Sequence, residues 1–311
     1  MDERIGIRPL RETDAEAVVE LYARAATIEP RLGPITLAQW QRFTKFPQNH
    51  GGRDFRIAEQ DGYPVGVAES SLRLQGETPS RFIKIVVAPE IRRQRIGLRL
   101  FDELLAIDDP SAEVSLQALV NPEWHAGLAF VTSLGFTHVE SEIDMKCANL
   151  ILPEATNATA GIAIERVSDA TTYVAEIARI HNAAYGGEAG FTPHSPEEMA
   201  IVLNEYELWI AREAGRLTGF CMAEPEQDMV WIESIAVDPK CQAVGIGMAL
   251  ACRALAANGV SADHPGWLNV SSRNAPALAI YRRLGFQPAH ETCRFAAARS
   301  DVIASRDRNF G

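Results

Sequence analysis

Glycines, a carboxylate and a phenol in the second half of the chain are spaced for chemistry. The apolar run 230–237 is followed by Asp238-Pro239-Lys240-Cys241-Gln242-Ala243-Val244-Gly245-Ile246-Gly247. Glycines at a strand-to-helix turn let backbone N–H groups approach a ligand closely, and the start of the next helix adds partial positive charge. Gln242, Ala243, Val244, Gly245, Ile246 and Gly247 therefore read as a pyrophosphate cradle, although a glycine pair alone is also ordinary turn chemistry. Glu233 is a carboxylate inside the apolar run. At 3.3 Å per residue it lies about 13 Å from Val237, and strand alternation puts it on the same face as Ile235 and Val237. Asn274 and Tyr281 are seven residues apart, two helical turns, so they share a helix face. A carboxylate so placed could take up a proton; it could equally be an ion-paired strand residue, and the tyrosine a packing aromatic.

The elements that must carry these residues follow from local pattern. Pro239 stops the strand over 230–237. Leu250, Ala254 and Leu255 form an apolar stripe at helical spacing behind the glycines. Asn274 is a natural N-cap with Pro276 in the first turn, and Gly285 a natural C-cap. Further upstream, 162–167 reads as a strand, a helical stretch runs to Tyr185, and 208–211 and 217–223 read as antiparallel strands turning at 213–216. Strands and helices mixed in this way give an α/β (α+β) layer fold around a central sheet.

The whole chain repeats this plan. Val87-Ala88-Pro89 recurs as Val237-Asp238-Pro239, Ile96-Gly97 as Ile246-Gly247, and Leu134-Gly135-Phe136 as Leu284-Gly285-Phe286, each pair 150 residues apart. We expect two tandem copies, 1–150 and 162–311, joined by a small, polar, Pro- and Gly-broken linker at 151–161. The copies differ where chemistry would sit. At the fixed offset Arg95 stands for Gly245, Ile83 for Glu233, Trp124 for Asn274 and Val131 for Tyr281. The arginines Arg81, Arg92, Arg93 and Arg95 read as a solvated face rather than a second anion site.

Composition narrows the class. The 311 residues are 47% hydrophobic with formal net charge −11. That acidity disfavours nucleic-acid binding and would suit a cationic substrate such as an amine, although charge also serves solubility. No apolar run approaches about 18 residues, and the first residues lack a signal-peptide pattern, so a cytoplasmic protein with no membrane partner is expected. Five scattered cysteines form no disulfide or metal pattern, and no Cys or Ser with a His partner suggests a covalent intermediate.

The string Gln-x-x-Gly-x-Gly after Val-x-Pro, with Asn-x-x-Ala-x-x-x-Tyr-x-x-x-Gly-Phe behind it, resembles the two main motifs of the GNAT N-acetyltransferase superfamily. The resemblance spans both halves and is strongest in the second; the tandem plan and length also resemble the bacterial mycothiol synthases. It implies a mixed, mostly antiparallel sheet flanked by helices in each copy. It further implies acetyl-CoA as donor, its pyrophosphate on the 242–247 amides, its pantetheine arm along Ile235, Ala236 and Val237, and Asn274 beside it. In such enzymes the tyrosine of the second motif protonates the departing thiolate, a role that would fall on Tyr281; Glu233, by its place on the strand, could accept the proton of an attacking amine or be an ion-paired carboxylate. In that family the region around His181, Tyr185, Phe191 and His194 often lines the acceptor pocket, but a lone His181 or Tyr185 reads equally as packing or capping, and neither is assigned a role. The expected activity is acetyl transfer to a small-molecule amine by direct attack in a ternary complex, with the second copy active. A non-catalytic acyl-CoA sensor, or a peptide or protein N-acetyltransferase, are the rival readings.

Overall fold

The computed structural model describes residues 5–29, 32–46, 49–75, 78–107, 114–152, 161–187, 191, 193–242 and 245–310. They fall into two compact units, 1–139 with 293–311, and 140–292. Most of the linker expected at 151–161 lies outside the described residues. Relative to the expected division, 140–150 belong to the second unit and 293–311 to the first.

The first unit runs β1 (Ile5–Pro9), α1 (Ala15–Ala26), α2 (Leu37–Thr44), α3 (Gly51–Asp54), β2 (Phe55–Gln60), β3 (Tyr63–Gln75), β4 (Thr78–Val87), α4 (Ile96–Leu105), β5 (Ser115–Val120), α5 (His125–Ser133) and the start of β6 (Thr137–Cys147). The second continues with β7 (Ile162–Val167), α6 (Val174–Tyr185), α7 (Pro196–Leu203), β8 (Glu207–Glu213), β9 (Arg216–Pro225), β10 (Val230–Val237), α8 (Ile246–Ala257), β11 (Gly266–Ser271), α9 (Ala275–Arg283) and the start of β12 (Gln287–Ala298). The rest of β12 and α10 (Arg299–Phe310) return to the first unit. The expected strand over 230–237 and the helix ending at Tyr185 are found with those limits. The helices α2 and α7 carry Thr36–Gln39 and Ser195–Glu198 capping boxes, which fix their starts.

In the first unit β1, β2, β3 and β4 pair antiparallel in order, and β5 joins β4 in parallel. Its sixth strand is the far half of β12, antiparallel to β5 from Cys293↔Val120 to Ala298↔Ser115. The second unit repeats the order with β7, β8, β9 and β10, then β11 parallel to β10. Here the sixth strand is the far half of β6, antiparallel to β11 from Glu142↔Ser271 to Cys147↔Gly266. Each copy thus gives its last strand to the sheet of the other unit. The sheets are mixed and mostly antiparallel, as the repeat implies.

Helices cover both faces of the second sheet. On one side α8 buries Leu250, Ala251, Ala254 and Leu255 completely against Ile232, Leu268 and Phe286; such burial stabilises by about 2 kcal/mol per leucine. On the other, Ile177 and Ile180 of α6 and Met199 and Leu203 of α7 pack on Leu208, Ile210, Phe220 and Met222. These two cores fix which strand residues face which helix, and so where the site can form.

Candidate active site

Strand β10 carries the decisive local feature. Its ladder with β9 is regular from Val230↔Pro225 to Ile232↔Ala223, then resumes at Ser234↔Met222. Glu233 is the extra residue of a β-bulge, which interrupts simple alternation. Val230 and Ile232 pack in the α8 core, and so do Ile235 and Val237. Ser234 meets Tyr185 of α6, and Ala236 belongs to the α6 core. The indole N–H of Trp231 donates to Glu233 Oε2 at 3.0 Å, so the carboxylate shares Trp231's side of the strand, opposite Val230 and Ile232. The expectation that Glu233 shares a face with Ile235 and Val237 is therefore overturned, because the inserted residue reverses the facing of everything after it.

Tyr281 lies on α9 and packs in the α8 core with Ile235, Val237 and Ile280, its ring 5.8 Å from Phe286. The bulge thus sets Glu233 and Tyr281 on opposite sides of β10. Glu233 is solvent-exposed at the strand surface; the protein crowded around it pushes its pKa above the ordinary carboxylate range, and the Trp231 N–H pulls it partly back. The same side carries Trp267 and Asn269 of β11, which alternate with the core residues Leu268 and Val270, and Asp144 of β6, which accepts from Asn269 at 2.8 Å. Trp267 stacks on His290 at 5.7 Å, with the Lys146 ammonium 5.4 Å from its ring.

Past Ile232 the edge of β10 next to this residue set is no longer paired with β11, and at Ile235 the Tyr185 hydroxyl meets both backbone groups. Parallel pairing of β10 with β11 runs only from Val230↔Gly266 to Ile232↔Leu268, so the described strands diverge along Ile235, Ala236 and Val237. Beyond them Gly245 is left-handed (φ 86°) at the start of α8 and offers no side-chain cap, leaving the first-turn amides of Ile246 and Gly247 to a ligand. A left-handed turn, an uncapped helix start and a splayed strand edge fit a pyrophosphate and its extended arm. Gln242 Nε2 donates to the Val237 carbonyl at 3.2 Å and braces the turn. Ala243 and Val244 lie outside the described residues. Asn274 caps α9 through Oδ1 on the Ala277 N–H at 3.1 Å.

Asp238 anchors the cradle from behind. It is buried, accepts from the Lys240 amide at 3.0 Å, and meets Arg179 of α6 and Arg216 of β9 at 2.9 Å each. The Lys240 amide first, then the two guanidinium groups, hold its pKa down at about 2 against the opposing cost of burial.

Sequence pattern alone left Tyr185 and its neighbours without an assigned role. The Tyr185 hydroxyl donates to the Ile235 carbonyl at 2.9 Å, accepts from the Ile235 N–H at 3.2 Å, and lies 3.0 Å from Ser234 Oγ. His181, Phe191 and His194 complete a ring cluster around it, with His181 centred 4.9 Å from Tyr185 and 5.1 Å from His194. Burial, then the second imidazole, pushes the His181 pKa down to about 4, so the ring is neutral at neutral pH.

The first unit keeps the cradle's backbone but fills it differently. Arg95 is left-handed (φ 62°) at the start of α4, matching Gly245. Arg92, in the place of Gln242, donates to the Val87 carbonyl at 2.9 Å, pairs with Glu29 and lies 5.7 Å over the Trp124 ring. Trp124 folds onto α5 where Gly127 leaves room; a Cβ there would meet the indole at 2.4 Å. Ile83 and Val131 are core residues, and β4 pairs with β3 without any register shift from Gly66↔Val87 to Gln75↔Thr78. The arginines are not one solvated face. Arg81 is buried and contacts Asp54 at 3.2 Å, and Arg92 is half-buried; only Arg93 and Arg95 are exposed. Among the described residues no three His, Cys, Asp or Glu side chains come together as metal ligands, and no helix is long and apolar enough to cross a membrane.

Duplicated sheets of this order, each with a splayed parallel pair and a left-handed turn before a helix, define a tandem acetyltransferase. Family models agree: "Acetyltransferase (GNAT) family" matches residues 15–136 and "Acetyltransferase (GNAT) domain" matches 204–288. The chain belongs to the GNAT acetyltransferases, with two such domains. It is 28% identical to a mycothiol acetyltransferase of Actinosynnema mirum, over 88% of this chain and 92% of that one. It is 29% identical to that of Clavibacter michiganensis subsp. michiganensis, over 74% and 75%. A tandem GNAT protein from the clavulanic acid biosynthesis pathway superposes with a TM-score of 0.72 at 16% identity, covering 95% and 98%. A GCN5-related N-acetyltransferase from Sphaerobacter thermophilus does so at 0.71 and 19%, covering 96% and 97%.

Proposed function

We propose that the second unit transfers the acetyl group of acetyl-CoA to a small-molecule amine, and that the first unit is a non-catalytic copy. The observation that carries this reading is the β10 bulge, which sets a carboxylate and a phenol on opposite sides of the strand edge where the donor would lie. The amine approaches on the Glu233 side, where Trp231, Asn269 and Asp144 offer ring surface and negative charge to a cation. Its nitrogen attacks the thioester carbonyl, the new C–N bond forms and the C–S bond breaks. The proton leaving nitrogen passes to Glu233, whose raised pKa makes it a stronger base than a free carboxylate. On the other side Tyr281 gives its proton to the departing thiolate. Holding both substrates together supplies much of the rate.

The first unit has Ile83 and Val131 in place of these two groups, an unbroken β4, and Arg92 held between Glu29 and Trp124 in its cradle. A pure acyl-CoA sensor would need the second cradle without Glu233 and Tyr281 beside it. Because the matched relatives are mycothiol acetyltransferases, their acceptor is the first amine to assay. The deciding experiment is calorimetric titration of acetyl-CoA into wild type, Gly245→Trp and Arg95→Trp. One site per chain, lost only in Gly245→Trp, is expected. Two sites, each lost with its own substitution, would overturn the division of labour, and no binding would overturn the donor assignment.

A further inference from the structure

A bulge is a liability unless something specifies it. It leaves one residue without a cross-strand partner and disturbs the hydrogen bonds of its neighbours. A regular β10 would slide by one residue and turn Ile235 and Val237 away from the α8 core. One side chain opposes that slide. The Tyr185 phenol, the last residue of α6, both donates to the carbonyl and accepts from the N–H of Ile235, and touches Ser234 Oγ. A hydroxyl can do both at once, as a water would, but this one is fixed by α6 and by the rings of His181 and Phe191. The chain contains its own comparison. In the first copy the corresponding helix, α1, ends on Ala26, which has no hydroxyl, and β4 carries no bulge against β3.

We propose that Tyr185 is a positioning residue for acetyl transfer: it sets the register of the β10 bulge and so the facing of the strand that runs on through Val237 to the donor cradle. This inference rests on the acetyl-CoA reading above. It assigns Tyr185 no proton-transfer step; the phenol acts through the backbone it holds.

The test uses the full chain as wild type and Tyr185→Phe, with acetyl-CoA labelled with carbon-13 at the carbonyl. Tyr185→Phe keeps the ring packing and removes the hydroxyl. The expected result is unchanged acetyl-CoA affinity within about twofold, a bound carbonyl band shifted back toward that of free acetyl-CoA in difference infrared spectra, and a kcat lower by about ten- to a hundredfold, the scale of a misplaced reacting group. A wild-type carbonyl band and kcat in Tyr185→Phe, whatever its melting temperature, would overturn the inference and leave the acetyl-CoA reading intact. Failure of wild type itself to bind acetyl-CoA would overturn both. One measurement needs no variant: the Ile235 amide of wild type should exchange slowly with deuterium, and exchange at the rate of an unstructured amide would overturn the clamp.

Discussion

At the scale of single residues, the proposed reaction divides its labour between two groups on opposite sides of one strand, Glu233 and Tyr281. Tyr281→Phe removes the proposed acid and leaves the core contact with Phe286. We expect kcat to fall by about 10²-fold or more while acetyl-CoA affinity stays near wild type, measured by steady-state kinetics and titration. Glu233→Gln tests the base through pH. The carboxylate must be ionised to accept a proton, and its pKa is raised by desolvation. Activity should therefore climb with pH through a value above the ordinary carboxylate range, and that acidic limb should vanish in Glu233→Gln. An unchanged profile would remove Glu233 from the reaction. Both candidates stood out in the sequence, because a carboxylate in an apolar run and a phenol two turns from a cap break their local pattern. Their relative placement did not. The burial rhythm of β10 alternates smoothly through Glu233, so the bulge leaves no mark on the hydrophobic pattern, and it depends on Tyr185 from a distant helix.

Elements meet the site at the turn after β10, where Asp238 ties α6 and β9 to the cradle through Arg179 and Arg216. Its folded pKa of about 2 lies below that of an unfolded aspartate. The sign follows directly: its contribution to stability is fully present above about pH 4, the unfolded value, and is lost as pH falls toward 2. Asp238→Asn should lower the melting temperature at neutral pH and flatten the stability profile between about pH 4 and 2. A variant as acid-labile as wild type would show that the anchor does not matter. The cradle was legible because Pro239, Gly245 and the stripe of α8 each mark a boundary by their own stereochemistry. The anchor behind it was not, since Asp238, Arg179 and Arg216 are brought together only by the packing of three elements.

For the whole molecule, the 150-residue offset revealed two copies, but not which strand completes which sheet. A repeat makes β6 and β12 near-equivalent partners for either parallel pair, so local sequence cannot choose. The chosen exchange puts Phe295 and Val302 in the core of the first unit, and Met145 and Cys147 in that of the second. Cutting the chain between 152 and 161 therefore removes core from the first unit. At roughly 3 kcal/mol for each large buried side chain lost, against a domain stability of about 5–15 kcal/mol, fragment 1–152 should not fold cooperatively alone. Mixed with fragment 161–311 it should recover a single melting transition and activity. Two fragments that each melt cooperatively in isolation would contradict the exchange.

That exchange also bears on ancestry. A duplicated domain that loses its chemistry is ordinarily free to decay or be deleted. Here each copy lends a strand to the other and borrows one back, so under the proposed division of labour selection for catalysis in one gene half preserves the architecture of the other. Under that division the first half needs no proton-transfer groups at positions 83 and 131, which its core fills with Ile83 and Val131, and descendants should vary least along the lent strand.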